Sequence, residues 1–161
     1  MTGTSSPSAS AANGLPTDTA SALQQALGTE NAAIWVCGLA SAFVGSSAVK
    51  EINAAQTAHA ARRDVVQRLL TDAGLTPNPA QPAYVLPQQV TDQASALAAM
   101  ATAESDGTVA WRAVLERTDD ADLRRTGLAA LTDCAVRETR FRRLGGISPA
   151  SIAMPGQPAK S

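Results

Sequence analysis

Aromatic side chains make up only 3% of this 161-residue chain, which also has a single histidine and only two cysteines. So few aromatics argue against a sheet built from aromatic and β-branched pairs. The 45% apolar share is mostly alanine, leucine and valine, which pack closely as helices and predict an all-α fold. Cys37 and Cys134 lack metal-type spacing and are too few for a disulfide framework, so they read as buried thiols in a reducing compartment. No window approaches the roughly 18 consecutive apolar residues of a membrane span. The stretch from Ala32 to Val49 comes nearest and is broken by Gly38, Ser41, Gly45, Ser46 and Ser47. Neither sign of charge dominates: thirteen basic side chains face fourteen acidic ones, so no global field draws nucleic acid or anionic lipid, and neither partner is expected. The beginning of the chain is rich in Ser, Thr and Ala. It lacks the basic and apolar regions of a signal peptide, so residues 1–16 are expected to be a disordered leader and the protein cytoplasmic.

What is present reads as four helices in one domain, residues 17–146, followed by an extended or disordered tail, 147–161. The first begins at Thr17 as cap, with Asp18 in its first turn, and runs to about Val44, before Gly45. The second starts at Ser46 or Ser47 and stops at Gly74-Leu75 in Schellman form, with Pro77 preventing resumption. The third opens at Thr91 and extends to about Thr118; Asp119 or Asp120 then caps the fourth, which ends at Gly145 and Gly146. The turns at Gly45 and Asp119 are short and force two antiparallel hairpins. Between them lies Leu75 to Val90 with Pro77, Pro79, Pro82 and Pro87. In a polyproline-like form at about 3.1 Å per residue this segment reaches roughly 50 Å. A helix of about 27 residues is roughly 40 Å long. The segment can therefore return along the whole bundle as a crossover.

Three- and four-residue steps give the core stripes. They are Leu23, Leu27, Glu30, Ile34, Cys37 on the first helix and Ile52, Gln56, His59, Arg63, Val66, Leu70 on the second. The third gives Leu97, Ala101, Glu104, Thr108, Trp111, Leu115, and the fourth Leu123, Gly127, Leu131, Cys134, Glu138, Phe141. Each stripe carries a polar or ionisable residue midway. Counting outward from the turns sets Glu30 beside His59 and Glu104 within a turn of Glu138. Buried without partners, such charges cost several kcal/mol each, so something must neutralise them.

This pattern resembles the ferritin-like di-iron bundles, in which two helices each give a Glu and the other two a Glu-x-x-His. Glu30 and Glu104 look like the single glutamates, and the 34-residue separation of Glu104 from Glu138 is similar to the usual spacing. The second and fourth helices depart, reading Gln56-x-x-His59 and Glu138-x-x-Phe141. The chain also resembles an actinobacterial ferritin-like family of unknown function in its mid-helix Glu, its His59, Arg63, Asp64 segment and its Tyr84-x-Leu86-Pro87 crossover. The resemblance implies a ferritin-like four-helix bundle and no established activity.

Two readings of the polar layer compete. In one, Glu30, His59, Glu104 and Glu138 ligate iron or manganese for storage or oxidation. In the other, which the loss of ligands at Gln56 and Phe141 favours, the layer is an ion-pair network. There Arg63, with Arg62 or Arg137 as alternatives, supplies the positive charge. Trp35 and Trp111 read as packing residues, and Tyr84 as an anchor for the crossover that donates its hydroxyl. Cys37 and Cys134 fall on opposite sides of the layer, so no disulfide between them is expected. No phosphate loop or nucleophile with a positioned base is recognisable. The favoured function is thus a non-catalytic structural or interaction module, homodimeric through Ala- and Gly-rich faces, with a partner protein or small apolar ligand between the helices as a third reading.

Overall fold

The computed structural model describes residues 14–157, in which the helices are α1 (Thr17–Ser41), α2 (Ser46–Asp72), α3 (Gln93–Leu115) and α4 (Ala121–Leu144). No strand forms among the described residues. Most of the expected leader, residues 1–13, lies outside them. The helices pack as α1 on α2, α1 on α3 and α3 on α4, giving an all-α four-helix bundle.

Local chemistry sets the ends. α3 starts one residue later than expected because Asp92, not Thr91, is the cap: its carboxylate accepts from the Ser95 N–H at 2.8 Å while the Ser95 hydroxyl accepts from the Asp92 N–H at 3.0 Å. Asp120 caps α4 by accepting from the Leu123 N–H at 2.7 Å. At the start of α1 the cap position is Pro16 and Thr17 is already helical. α2 ends as expected: Gly74 takes φ of 77°, and the Leu75 N–H reaches back to the Leu70 carbonyl at 2.9 Å.

The crossover fixes the topology. Leaving α2, it is pinned to the first turns of α1 by Gln24, which donates to the Thr76 carbonyl at 2.8 Å and accepts from the Asn78 N–H at 2.9 Å. Higher up, the Tyr84 ring meets Trp35 with centroids 6.0 Å apart. The Tyr84 oxygen accepts from the Gln81 N–H at 3.1 Å, so the hydroxyl acts here as acceptor where a donor was expected. The segment then delivers Gln93 to the α1–α2 turn, where its side-chain oxygen accepts from the Gly45 N–H at 3.0 Å. α1 and α4 are therefore parallel, as are α2 and α3. At the opposite end the Thr19 hydroxyl donates to the Arg117 carbonyl and joins the start of α1 to the end of α3.

The apolar interior forms two clusters. One, towards the α1–α2 turn, holds Cys37, Ile52, Leu97, Met100 and Phe141; the other, towards the α3–α4 turn, holds Leu23, Leu27, Val66, Leu70, Trp111 and Cys134. Burying each large aliphatic side chain contributes about 1.5–3 kcal/mol. Between the clusters lies the polar layer. The tail is not simply extended. Its start is held by Arg142, whose Nε donates to the Pro149 carbonyl at 2.7 Å, and the chain then returns so that Gly156 is buried against Thr108 of α3.

Candidate functional site

The four predicted residues are buried: Glu30, His59, Glu104 and Glu138 are each exposed by no more than 4%. Three of them converge. His59 Nδ1 lies 2.7 Å from Glu30 Oε2, and Nε2 lies 3.3 Å from Glu104 Oε1. The two ring nitrogens point to opposite sides of the imidazole, so the carboxylates flank the ring. With an acceptor at each nitrogen the charged form is favoured. Burial alone would lower the His59 pKa, but the hydrogen bonds and charges of Glu104 and Glu30 outweigh it and raise the pKa above its usual value.

Glu138 stands apart from this triad. Its partner is Arg142, one turn on, with 3.6 Å between Oε1 and Nη1. Burial raises its carboxyl pKa; Arg142 opposes this and the nearby charge of Glu104 adds to it. Glu104 Oε2 has no hydrogen-bond partner among the described residues.

The positive charge comes from Arg62. Its Nε donates to Glu30 Oε1 at 3.0 Å and its Nη1 to Asp133 Oδ2 at 2.6 Å. Arg137 shares Asp133, its Nε donating to the same oxygen at 3.1 Å. The Trp111 indole N–H also donates to Glu30 Oε1, at 2.6 Å. One contact is less favourable: Arg62 Nη2 lies 2.9 Å from His59 Nδ1, two donors facing each other when the ring is charged. It follows from both groups serving the same carboxylate.

Two expected members are elsewhere. Arg63 turns outward to Asp64, its Nε donating to Oδ1 at 2.9 Å, and Gln56 is exposed. The physical reason is the choice of step along α2. The inward stripe runs Ile52, Ala55, His59, Arg62, Val66, with Arg62 only 13% exposed, taking three-residue steps at two points where the sequence pattern predicts four-residue ones. That step brings in Arg62 and leaves Gln56 and Arg63 outside. Asp133 and the indole donor of Trp111 were missed as members of the layer. Trp111 was legible in part, lying on the α3 stripe two turns after Glu104, but only the folded chain shows its N–H aimed at α1.

Residues 22–159 match a family described as a domain of unknown function, DUF4439. The chain belongs to the DUF4439 family. A solved structure, that of a conserved hypothetical protein, Rv2844, from Mycobacterium tuberculosis, is similar to it at 37% identity with a TM-score of 0.79. The match covers 86% of this chain and 98% of that one. Among curated proteins none matches the chain.

In this DUF4439 chain the donor set does not fit the di-metal centre implied by the sequence resemblance. Glu30 Oε2 is engaged by His59, and Oε1 by both Arg62 and Trp111. Position 141 is the core phenylalanine, Gln56 faces solvent, and a guanidinium occupies the layer. Among the described residues no three His, Cys, Asp or Glu side chains are gathered as a metal-holding group.

Proposed function

We propose that the protein is a non-catalytic structural or interaction module, a ferritin-like bundle whose centre is closed by ion pairs instead of metal. The supporting observation is the saturation of Glu30 by His59, Arg62 and Trp111. A carboxylate holding three charge-assisted or neutral hydrogen bonds is a poor ligand, because a cation would have to displace a guanidinium that is itself only 13% exposed. The layer instead ties α1, α2, α3 and α4 in one register, a use for buried ionic groups that is best attested where they specify a unique packing. Elemental analysis of protein purified from its native host tests this. No stoichiometric transition metal is expected, and iron or manganese at full occupancy overturns the reading.

A second reading rests on one specific observation, the unpartnered Oε2 of fully buried Glu104 with the charge of Glu138 close by. It is a single divalent ion held at the Glu104 side of His59, with Glu138 as second carboxylate. Metal retained by the wild type and lost in Glu104→Gln supports it; equal metal content in both defeats it.

A further inference from the structure

The α2–α4 seam is much less closed than those of α1 with α2, α1 with α3 and α3 with α4, the two helices meeting at only a few points. Two open cavities run along it. One of about 530 Å³ is lined by Arg62, Arg125, Thr126, Ala129, Ala130 and Asp133. The other, about 430 Å³, is lined by Glu51, Arg140, Arg143 and Leu144. Among the described residues the crossover and the tail lie against other parts of the bundle, at α1 and α3, and neither lines this seam.

Its chemistry is defined by small residues on the floor and cations on the rim. Thr126, Ala129 and Ala130 let another backbone approach closely, and Leu144, which lines the second cavity, is 44% exposed. Arg62 is committed to Glu30 and Asp133. The remaining arginines have charge to spare. Among the described residues Arg125 pairs only with Asp122, where both are largely in solvent, and Arg140 reaches Glu51 only at 3.6 Å. Arg143 makes no ion pair among the described residues. Arg125 and Arg143 are about 27 Å apart along α4 at 1.5 Å per residue, a length that five turns of helix span.

We propose that the α2–α4 seam docks an amphipathic helix of a partner protein that carries a narrow ridge of small apolar residues flanked at both ends by acidic ones. This names the partner class of the interaction-module reading and rests on it. A second copy of the chain is disfavoured by charge. Pairing α4 with its own copy sets Arg125 against Arg143 when antiparallel, or each against itself when parallel, and like charges across an interface are costly. An acidic helix converts the same arginines into attraction, with the apolar ridge seated on the alanines.

The test uses the full-length chain and a fluorescein-labelled synthetic helix with an Ala/Leu ridge and terminal glutamates, beside a twin with lysines in their place. Anisotropy is expected to show the glutamate helix binding at least about tenfold more tightly than the twin. Arg125→Glu/Arg143→Glu, two exposed substitutions checked for folding by circular dichroism, is expected to abolish that preference. Arg68→Glu, exposed and lining neither cavity, is expected to leave it intact. Ala129→Trp fills the seam without changing charge and is expected to weaken binding by a similar factor. Binding that survives Ala129→Trp, or is displaced equally well by a short RNA, overturns the proposal, as does equal affinity for the lysine twin. Elemental analysis is independent of these outcomes, so failure of the docking proposal leaves the metal-free module standing.

Discussion

Arg62 of α2 and Glu30 of α1 meet through Nε and Oε1 at 3.0 Å, and the same guanidinium extends to Asp133 of α4. A single side chain therefore joins three helices at the level where the apolar core is interrupted. Removing one partner of a buried pair leaves the other charge uncompensated, so Arg62→Met is expected to destabilise the bundle by about 3–5 kcal/mol. Adding Glu30→Gln removes the stranded charge and should recover part of that loss. Urea unfolding of the two single variants and the double variant checks this; strictly additive losses would show that the pair is not coupled.

Stability should depend on pH through His59. Its folded pKa lies above its ordinary value of 6.5, so the charged ring contributes stability that is fully present below about pH 6.5 and is lost as pH rises through the folded value. The slope for one group is at most about 1.4 kcal/mol per pH unit. Thermal unfolding of the wild type is expected to move to lower temperature over that range, and His59→Gln to show a flatter profile. The groups facing the ring are Glu30, Glu104 and Arg62, and an unchanged pH slope in the variant would assign the effect to another group.

The thiols should be inert in the native protein. Burial pushes Cys37 up to about 12, and it raises Cys134 as well, with the nearby carboxylates of Glu104 and Glu30 adding to the effect. Both are free and fully buried, in opposite core clusters. A thiol-reactive disulfide reagent is expected to titrate neither until denaturant is added and then to titrate both. Rapid labelling of the native chain would show that the core opens locally.

Gly156 controls the tail. It has φ of 79°, and a Cβ there would lie 2.6 Å from the Thr108 carbonyl oxygen of α3, so a side chain is opposed by both backbone strain and close contact. Gly156→Ala is expected to release the tail and leave the core in place. Limited proteolysis should then remove residues after Arg142 much faster than in the wild type, with the midpoint of global unfolding moving by no more than about 1 kcal/mol equivalent. A collapse of the whole bundle would show instead that the tail is integral to it.

The helices and the Schellman stop at Gly74 were legible to within a few residues, the caps Asp92 and Asp120 falling beside or among the expected Thr91 and Asp119 or Asp120, because end chemistry and core periodicity are local properties of the chain. The long proline-bearing crossover was legible for the same reason, since proline limits the backbone whatever surrounds it, and the short turns at Gly45 and Asp119 gave the pairing of α1 with α2 and of α3 with α4. The meeting of Glu30 with His59 also followed from counting around one tight turn.

Membership of the layer was decided by tertiary structure. A helix of 3.6 residues per turn allows either a three- or a four-residue step at each point of its buried stripe. On α2 that choice separated Arg62 from Arg63 and Ala55 from Gln56. Only the neighbours settle it: Glu30, Glu104 and Asp133, contributed by three other helices, fix the rotation of α2 about its axis. Sequence determined that four helices would bury carboxylates and an imidazole at one level. Tertiary packing determined that an arginine and an indole would satisfy them, because the burial cost of a charge depends on which groups surround it.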